Sequence, residues 1–111
     1  MAASLGENLQ NVKERINRAC RRAGRNPEEI RLIWVSKLQP RKKIIEALKI
    51  GALDFGENKV QEALEKFPIE EHRWTYNLHF IGRLQSNKVR KILPACTAIH
   101  SVDSLKLLER I

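Results

Sequence analysis

From Ile30 onward the chain repeats one pattern four times: a short apolar run, a Gly or Pro, then a segment with apolar residues three or four apart. Residues 30–35 read as a first strand. Within them, Leu32, Ile33, Trp34 and Val35 form an unbroken apolar run, as expected of a strand buried on both faces of a parallel sheet. Pro40 then opens a helix with Ile44, Ala47 and Leu48 on its inner face, and Gly51 stops it. Residues 52–55 read as a second strand ending at Gly56. A helix over 58–66 follows, with a core stripe of Val60, Ala63, Leu64 and Phe67 and a Glu62/Lys66 pair at i,i+4 spacing. Pro68 ends that helix, and a polar loop runs to Asn77. Residues 78–82 read as the third strand, 86–93 as a helix stopped by Pro94, and 96–102 as the fourth strand. Asp103 is placed to cap a last helix carrying Leu105, Leu108 and Ile111.

Strands starting near 31, 52, 78 and 96 are spaced as βα units are. Such alternation predicts an α/β fold with a parallel sheet and right-handed crossovers. Four units are half of a (β/α)8 TIM barrel, which usually needs about 250 residues. The expectation is therefore the N-terminal half of such a barrel, with residues 1–111 as a single partial domain, and a chain cut from a longer one. A complete, small four-stranded open α/β sheet is the alternative. A half barrel leaves its first and fourth strands as open edges, which predicts self-association.

A helix precedes the first unit. Ser4 and Glu7 have capping-box spacing, Leu5, Leu9, Val12, Ile16, Ala19 and Ala23 make one apolar face, and Gly24 is placed to end it. Arg21, Arg22 and Arg25 suit the negative end of its dipole, and Asn26-Pro27-Glu28-Glu29 reads as a short capped turn.

Charge narrows the partners. The chain carries 21 Lys+Arg against 13 Asp+Glu, a formal net charge of +8, and so attracts anions such as phosphorylated small molecules or nucleic acid. The basic run Arg83, Lys88, Arg90, Lys91 lacks interleaved aromatics and a helix-turn-helix pattern, which argues against specific nucleic-acid binding. No apolar run reaches membrane-spanning length, and the N-terminus lacks a signal peptide's apolar region, so a cytoplasmic location is expected. Cys20 and Cys96 have no metal-binding spacing and read as small buried hydrophobes.

Chemistry in parallel α/β folds sits at the carboxyl ends of the strands. Those ends here are Ser36-Lys37, Gly56-Glu57-Asn58, Gly82-Arg83 and His100-Ser101. Lys37 is the only amine at a strand end. Desolvation and the nearby cations Arg41, Lys42 and Lys43 would favour its neutral, nucleophilic form, suited to a Schiff base with a phosphorylated aldehyde. The alternative is a lysine snorkelling from a strand terminus. Asn58 can bond a ligand or, as its position alone favours, cap the third helix. Gly82 admits a ligand or permits a turn, and Ser101 donates to a phosphate or caps the last helix. His79 reads as a satisfied structural histidine. No metal site and no Gly-rich phosphate loop is present.

Four stretches together resemble one family. They are Val35-Ser36-Lys37-x-x-Pro40, Asp54-Phe55-Gly56-Glu57-Asn58-x-x-Gln61-Glu62, His79-Phe80-Ile81-Gly82-x-Leu84-Gln85-x-Asn87-Lys88 and His100-Ser101-Val102-Asp103-Ser104. In this order they are similar to the YggS/PROSC family, the pyridoxal 5'-phosphate (PLP) homeostasis proteins. One departure is Leu78, where the family usually has an aromatic residue; Trp74 and Tyr76 are nearby. The resemblance implies a PLP-binding barrel like the N-terminal domain of bacterial alanine racemase. It implies that Lys37 holds PLP as a Schiff base, that Asn58 lies near the cofactor, and that Ile81, Gly82 and Ser101 line the same mouth. It implies a protein of vitamin B6 homeostasis that holds and delivers PLP without established catalysis. The arginine this family sets against the PLP ring nitrogen, and most of its phosphate loop, belong to the second half of the family pattern. Two other readings remain: a PLP enzyme such as an amino-acid racemase, and a basic nucleic-acid-binding module.

Overall fold

The computed structural model describes residues 4–69 and 75–111. They divide into two compact units, Met1–Leu32 and Ile33–Ile111. The first holds helix α1 (Leu5–Ala23) and a 3-10 turn, Pro27–Glu29. Ser4 caps α1 as its spacing predicts, its hydroxyl accepting the Glu7 amide at 3.1 Å. Gly24 ends the helix at φ 69°, a conformation that favours glycine. Asn26 caps the turn through the Glu28 amide, and Arg25 pairs with Glu29 at 3.4 Å.

The second unit is a four-stranded parallel sheet in the order β1-β2-β3-β4. Its elements are β1 (Trp34–Val35), α2 (Arg41–Lys49), β2 (Asp54–Glu57), α3 (Val60–Lys66), β3 (Asn77–Phe80), α4 (Val89–Ile92), β4 (Ala98–Ile99) and α5 (Leu105–Arg110). Sequential strand order suits a barrel segment; a doubly wound sheet reverses direction at a switch point. Phe55 packs on Phe67 after α3, with ring centroids 5.4 Å apart, so Phe55 and, two residues on, Glu57 face the helices. The core on that face is Phe55, Phe67, Leu78, Phe80, Val89 and Ile92, each nearly or fully buried. Each such side chain contributes about 1.5–3 kcal/mol. Tyr76 extends this cluster, its ring 5.1 Å from Phe67, while Trp74 and the middle of the expected polar loop lie outside the described residues.

Several boundaries differ from expectation. The first and fourth strands are only two residues long, and both are sheet edges, each pairing with one neighbour. Val35 is 53% exposed, so the apolar run 32–35 is not buried on both faces. Residues 86–93 begin as a 3-10 turn, Ser86–Lys88, before α4. Ser104, not Asp103, caps α5 by accepting the Leu107 amide, which rotates the helix so that Leu107 is buried while Leu105, Leu108 and Ile111 are exposed. Cys20 is buried, Cys96 half-buried, and both are free thiols. Among the described residues no helix is long and apolar enough to cross a membrane, and no His/Cys/Asp/Glu group could hold a metal ion.

Candidate functional site

All four strands are parallel, so their carboxyl ends share one edge of the sheet. Register sorts the side chains there. Trp34 pairs with Phe55 and Val35 with Gly56. Since Phe55 faces the helices, Trp34 does too, as does Ser36 through its bond to Glu57, while Val35 takes the opposite, inner face. Alternation puts Asp54, Gly56, His79 and Ile81 on that inner face as well.

Ser36, Lys37, Leu38 and Gln39 form a tight turn, closed by the Gln39 amide donating to the Ser36 carbonyl at 3.1 Å. Its third residue, Leu38, has φ 64°, a left-handed conformation that costs a non-glycine residue about 1–2 kcal/mol. Lys37 is exposed, and its ammonium has no hydrogen-bond or ion-pair partner among the described residues.

Behind this turn lies a charged cluster that sequence reasoning missed. Lys66 is 6% exposed and Glu57 is fully buried. The Lys66 ammonium donates to the Ser36 carbonyl at 2.5 Å, to Glu57 Oε2 at 2.9 Å and to Glu62 Oε2 at 3.0 Å, so all three of its protons have acceptors. The Ser36 hydroxyl donates to Glu57 Oε2. Glu62 Oε2 also accepts the Leu38 amide at 2.6 Å. The bond from Lys66, then that from Leu38, holds the Glu62 carboxyl below its usual pKa. Arg41 Nη1 donates to the Lys66 carbonyl at 2.6 Å. The Glu62/Lys66 pair read from i,i+4 spacing is therefore joined to the buried Glu57 and Ser36. Strand alternation carried past Gly56 was the available signal, because it sets Glu57 on the helix side beside Phe55.

The other expected site residues gather at the ends of β2, β3 and β4. A Cβ on Gly82 would lie 2.5 Å from the Asn58 carbonyl oxygen and 2.6 Å from its Cα, so glycine alone lets these segments touch. The Ser101 hydroxyl donates to the Gly82 carbonyl and caps no helix. Asn58 does not cap α3; that position is Lys59, without a side-chain cap bond, because α3 starts two residues later than expected. Ile81 lies over Gly56, where an added Cβ would meet its Cδ1 at 3.0 Å. Asn58, Ile81, Gly82 and Ser101 thus form one contiguous group. Lys37 sits in the turn after the flanking strand β1, which lies three strand spacings, roughly 14 Å along the sheet, from β4.

On the inner face, Asp54 Oδ1 accepts from Asn77 at 3.2 Å and from His79 Nε2 at 2.9 Å. His79 Nδ1 lies 2.9 Å from His100 Nε2. Asp54, His79 and His100 thus form one hydrogen-bonded chain across β2, β3 and the end of β4. His79 is satisfied within the sheet, as expected, while His100 is exposed.

Comparison with known proteins gives consistent relatives. No family model matches the chain. It is 43% identical over 109 residues to the pyridoxal phosphate homeostasis protein of Pseudomonas aeruginosa, covering 98% of this chain and 47% of that protein. The proteins of the same name from Escherichia coli and Aquifex aeolicus are 40% and 41% identical, with 96% and 95% of this chain and 47% and 46% of those proteins covered. Among solved structures, PipY of Synechococcus elongatus, determined with PLP bound, superposes with TM-score 0.71 at 41% identity over 86% of this chain and 45% of that one. A Bifidobacterium adolescentis protein of unknown function superposes with TM-score 0.78 at 30% identity, over 95% of this chain and 47% of its own. The chain spans about half the length of the curated relatives it matches.

Proposed function

The chain is homologous, over about half their length, to the pyridoxal phosphate homeostasis proteins of the YggS/PROSC family, and on that footing we propose that it is a PLP-holding segment of such a protein, with Lys37 as the amine that binds the cofactor. The observation that carries this reading is the Lys37 amine itself: exposed, without a described partner, on a turn at the carboxyl edge of a parallel sheet. PLP supplies an aldehyde carbon that an unprotonated lysine nitrogen can attack, with loss of water. The chain's own residues fit such a group. Lys37 offers the nitrogen, and Gly82, packed against Asn58, stands with Ile81 and Ser101 at the same rim of the sheet. The net charge of +8 draws a phosphorylated ligand toward that rim.

The role is non-catalytic holding and delivery. The relatives are named for homeostasis, and Ser101, Asn58 and Gly82 are engaged with one another rather than arranged around a nucleophile. The experiment is borohydride reduction of the chain with added PLP, followed by peptide mapping. The expected label is on Lys37, and a label confined to other lysines refutes the assignment. Sustained racemisation of amino acids under the same conditions would refute the non-catalytic role.

A further inference from the structure

The Lys37 turn holds a conformation that its own sequence disfavours. Leu38 is left-handed at φ 64°, yet its side chain is 80% exposed, so apolar packing does not hold it there. Glycine is the residue this turn position ordinarily requires. The bonds that retain it come from α3. Glu62 accepts the Leu38 amide at 2.6 Å, and Lys66 donates to the Ser36 carbonyl at 2.5 Å and to the same Glu62 oxygen at 3.0 Å. On the far side of the turn Arg41 donates to the Lys66 carbonyl at 2.6 Å. Both ends of the turn are thus fastened to one helix, and Lys37 is the residue between the fastened points.

We propose that Glu62 is a positioning residue for Lys37: with the buried Lys66 it clamps the turn after β1 in its left-handed form and so presents the Lys37 amine at the carboxyl edge of the sheet. This rests on Lys37 being the cofactor amine. Leaving the left-handed well rotates the peptide between Lys37 and Leu38, which redirects the lysine stem. The clamp is charge-assisted, since one carboxylate oxygen serves both the amide and the ammonium. Glu62 does not touch the lysine side chain; it acts through the backbone of Leu38.

The test uses the full chain with PLP as the probe and compares wild type, Glu62→Leu, Glu62→Leu with Leu38→Gly, and Glu62→Gln. Glu62→Leu is expected to raise by about tenfold the PLP concentration needed for half-maximal borohydride trapping on Lys37. Adding Leu38→Gly is expected to restore trapping, because glycine takes the left-handed form without a clamp. Glu62→Gln, which keeps the acceptor, is expected to fall between wild type and Glu62→Leu, and remains informative if Glu62→Leu does not fold. Wild-type trapping in Glu62→Leu, or no restoration by Leu38→Gly, overturns the proposal. If wild type traps no PLP on Lys37, the cofactor reading fails by itself. The clamp is then read from acetylation of Lys37 relative to exposed Lys42 by an N-hydroxysuccinimide ester. A ratio altered by Glu62→Leu and restored by Leu38→Gly supports the clamp, and an unaltered ratio overturns it.

Discussion

Replacing Lys66 by Met tests whether the cluster behind the Lys37 turn is structural. Met keeps most of the lysine stem, so little cavity is created. What disappears is the ammonium. Glu57 would keep a carboxylate with 0% side-chain exposure, and its Oε2 would retain only the Ser36 hydroxyl in place of that hydroxyl and an ammonium at 2.9 Å. Its Oε1 has no hydrogen-bond partner among the described residues in the intact protein. The Ser36 carbonyl would also lose its 2.5 Å donor. Removing one member of a buried ion pair costs about 3–5 kcal/mol, because the partner charge stays buried without compensation. A domain of this size has about 5–15 kcal/mol in total, so the variant should lose a large share of its stability. Urea unfolding followed by far-UV circular dichroism measures the loss, with an unchanged m-value showing that the transition remains the same one. Adding Glu57→Gln removes the stranded charge, and the double variant should be more stable than Lys66→Met alone. A loss under about 1 kcal/mol would mean the pair behaves like a surface salt bridge, and would refute the reasoning. A double variant no more stable than the single would refute it too.

Gly82→Ala should destabilise the chain by about 1–3 kcal/mol, measurable by thermal melting, because the new methyl meets the Asn58 backbone at 2.5–2.6 Å, where no flexible side chain can give way. Glu62 contributes acid sensitivity: its folded pKa is lowered, first by Lys66 and then by the Leu38 amide, so its stabilisation is full above the ordinary glutamate value of about 4.3 and is lost as pH falls from there through the folded value. Denaturation midpoints across that window should therefore drop on acidification, and less steeply in Glu62→Gln. The edge strands β1 and β4 each leave one side unpaired among the described residues, so the chain should self-associate, and a monomeric 12.9 kDa species by light scattering would count against this.

Much of the fold was legible because its signals are local. Ser4 and Gly24 bound α1 through their own side chain and backbone freedom, and Pro40, with its fixed φ, and Gly51, at φ 100°, bracket α2. The parallel sheet followed from the alternation of short apolar runs with helical stripes. Strand ends were less legible, because an apolar run does not say where ladder bonds stop: β1 is two residues within a four-residue apolar run, Leu32 to Val35. The cap of α5 shifted by one residue, from Asp103 to Ser104. Either side chain can cap, and the burial of Leu107 selects the helix rotation that makes Ser104 the N-cap.

The sequence by itself determined which residues stand at the strand ends, Lys37 among them, since order along the chain and a parallel topology suffice to bring them to one edge. Only the tertiary structure decided how they are held. Glu62 and Lys66 read only as an i,i+4 pair, because spacing along one helix carries no information about what lies across from it. Packing α3 against the end of β1 excluded water from Lys66 and turned its ammonium toward Ser36, Glu57 and Glu62. Those bonds reach across to Ser36 and, through Glu62, to the amide of the left-handed Leu38, in the turn that carries the lysine.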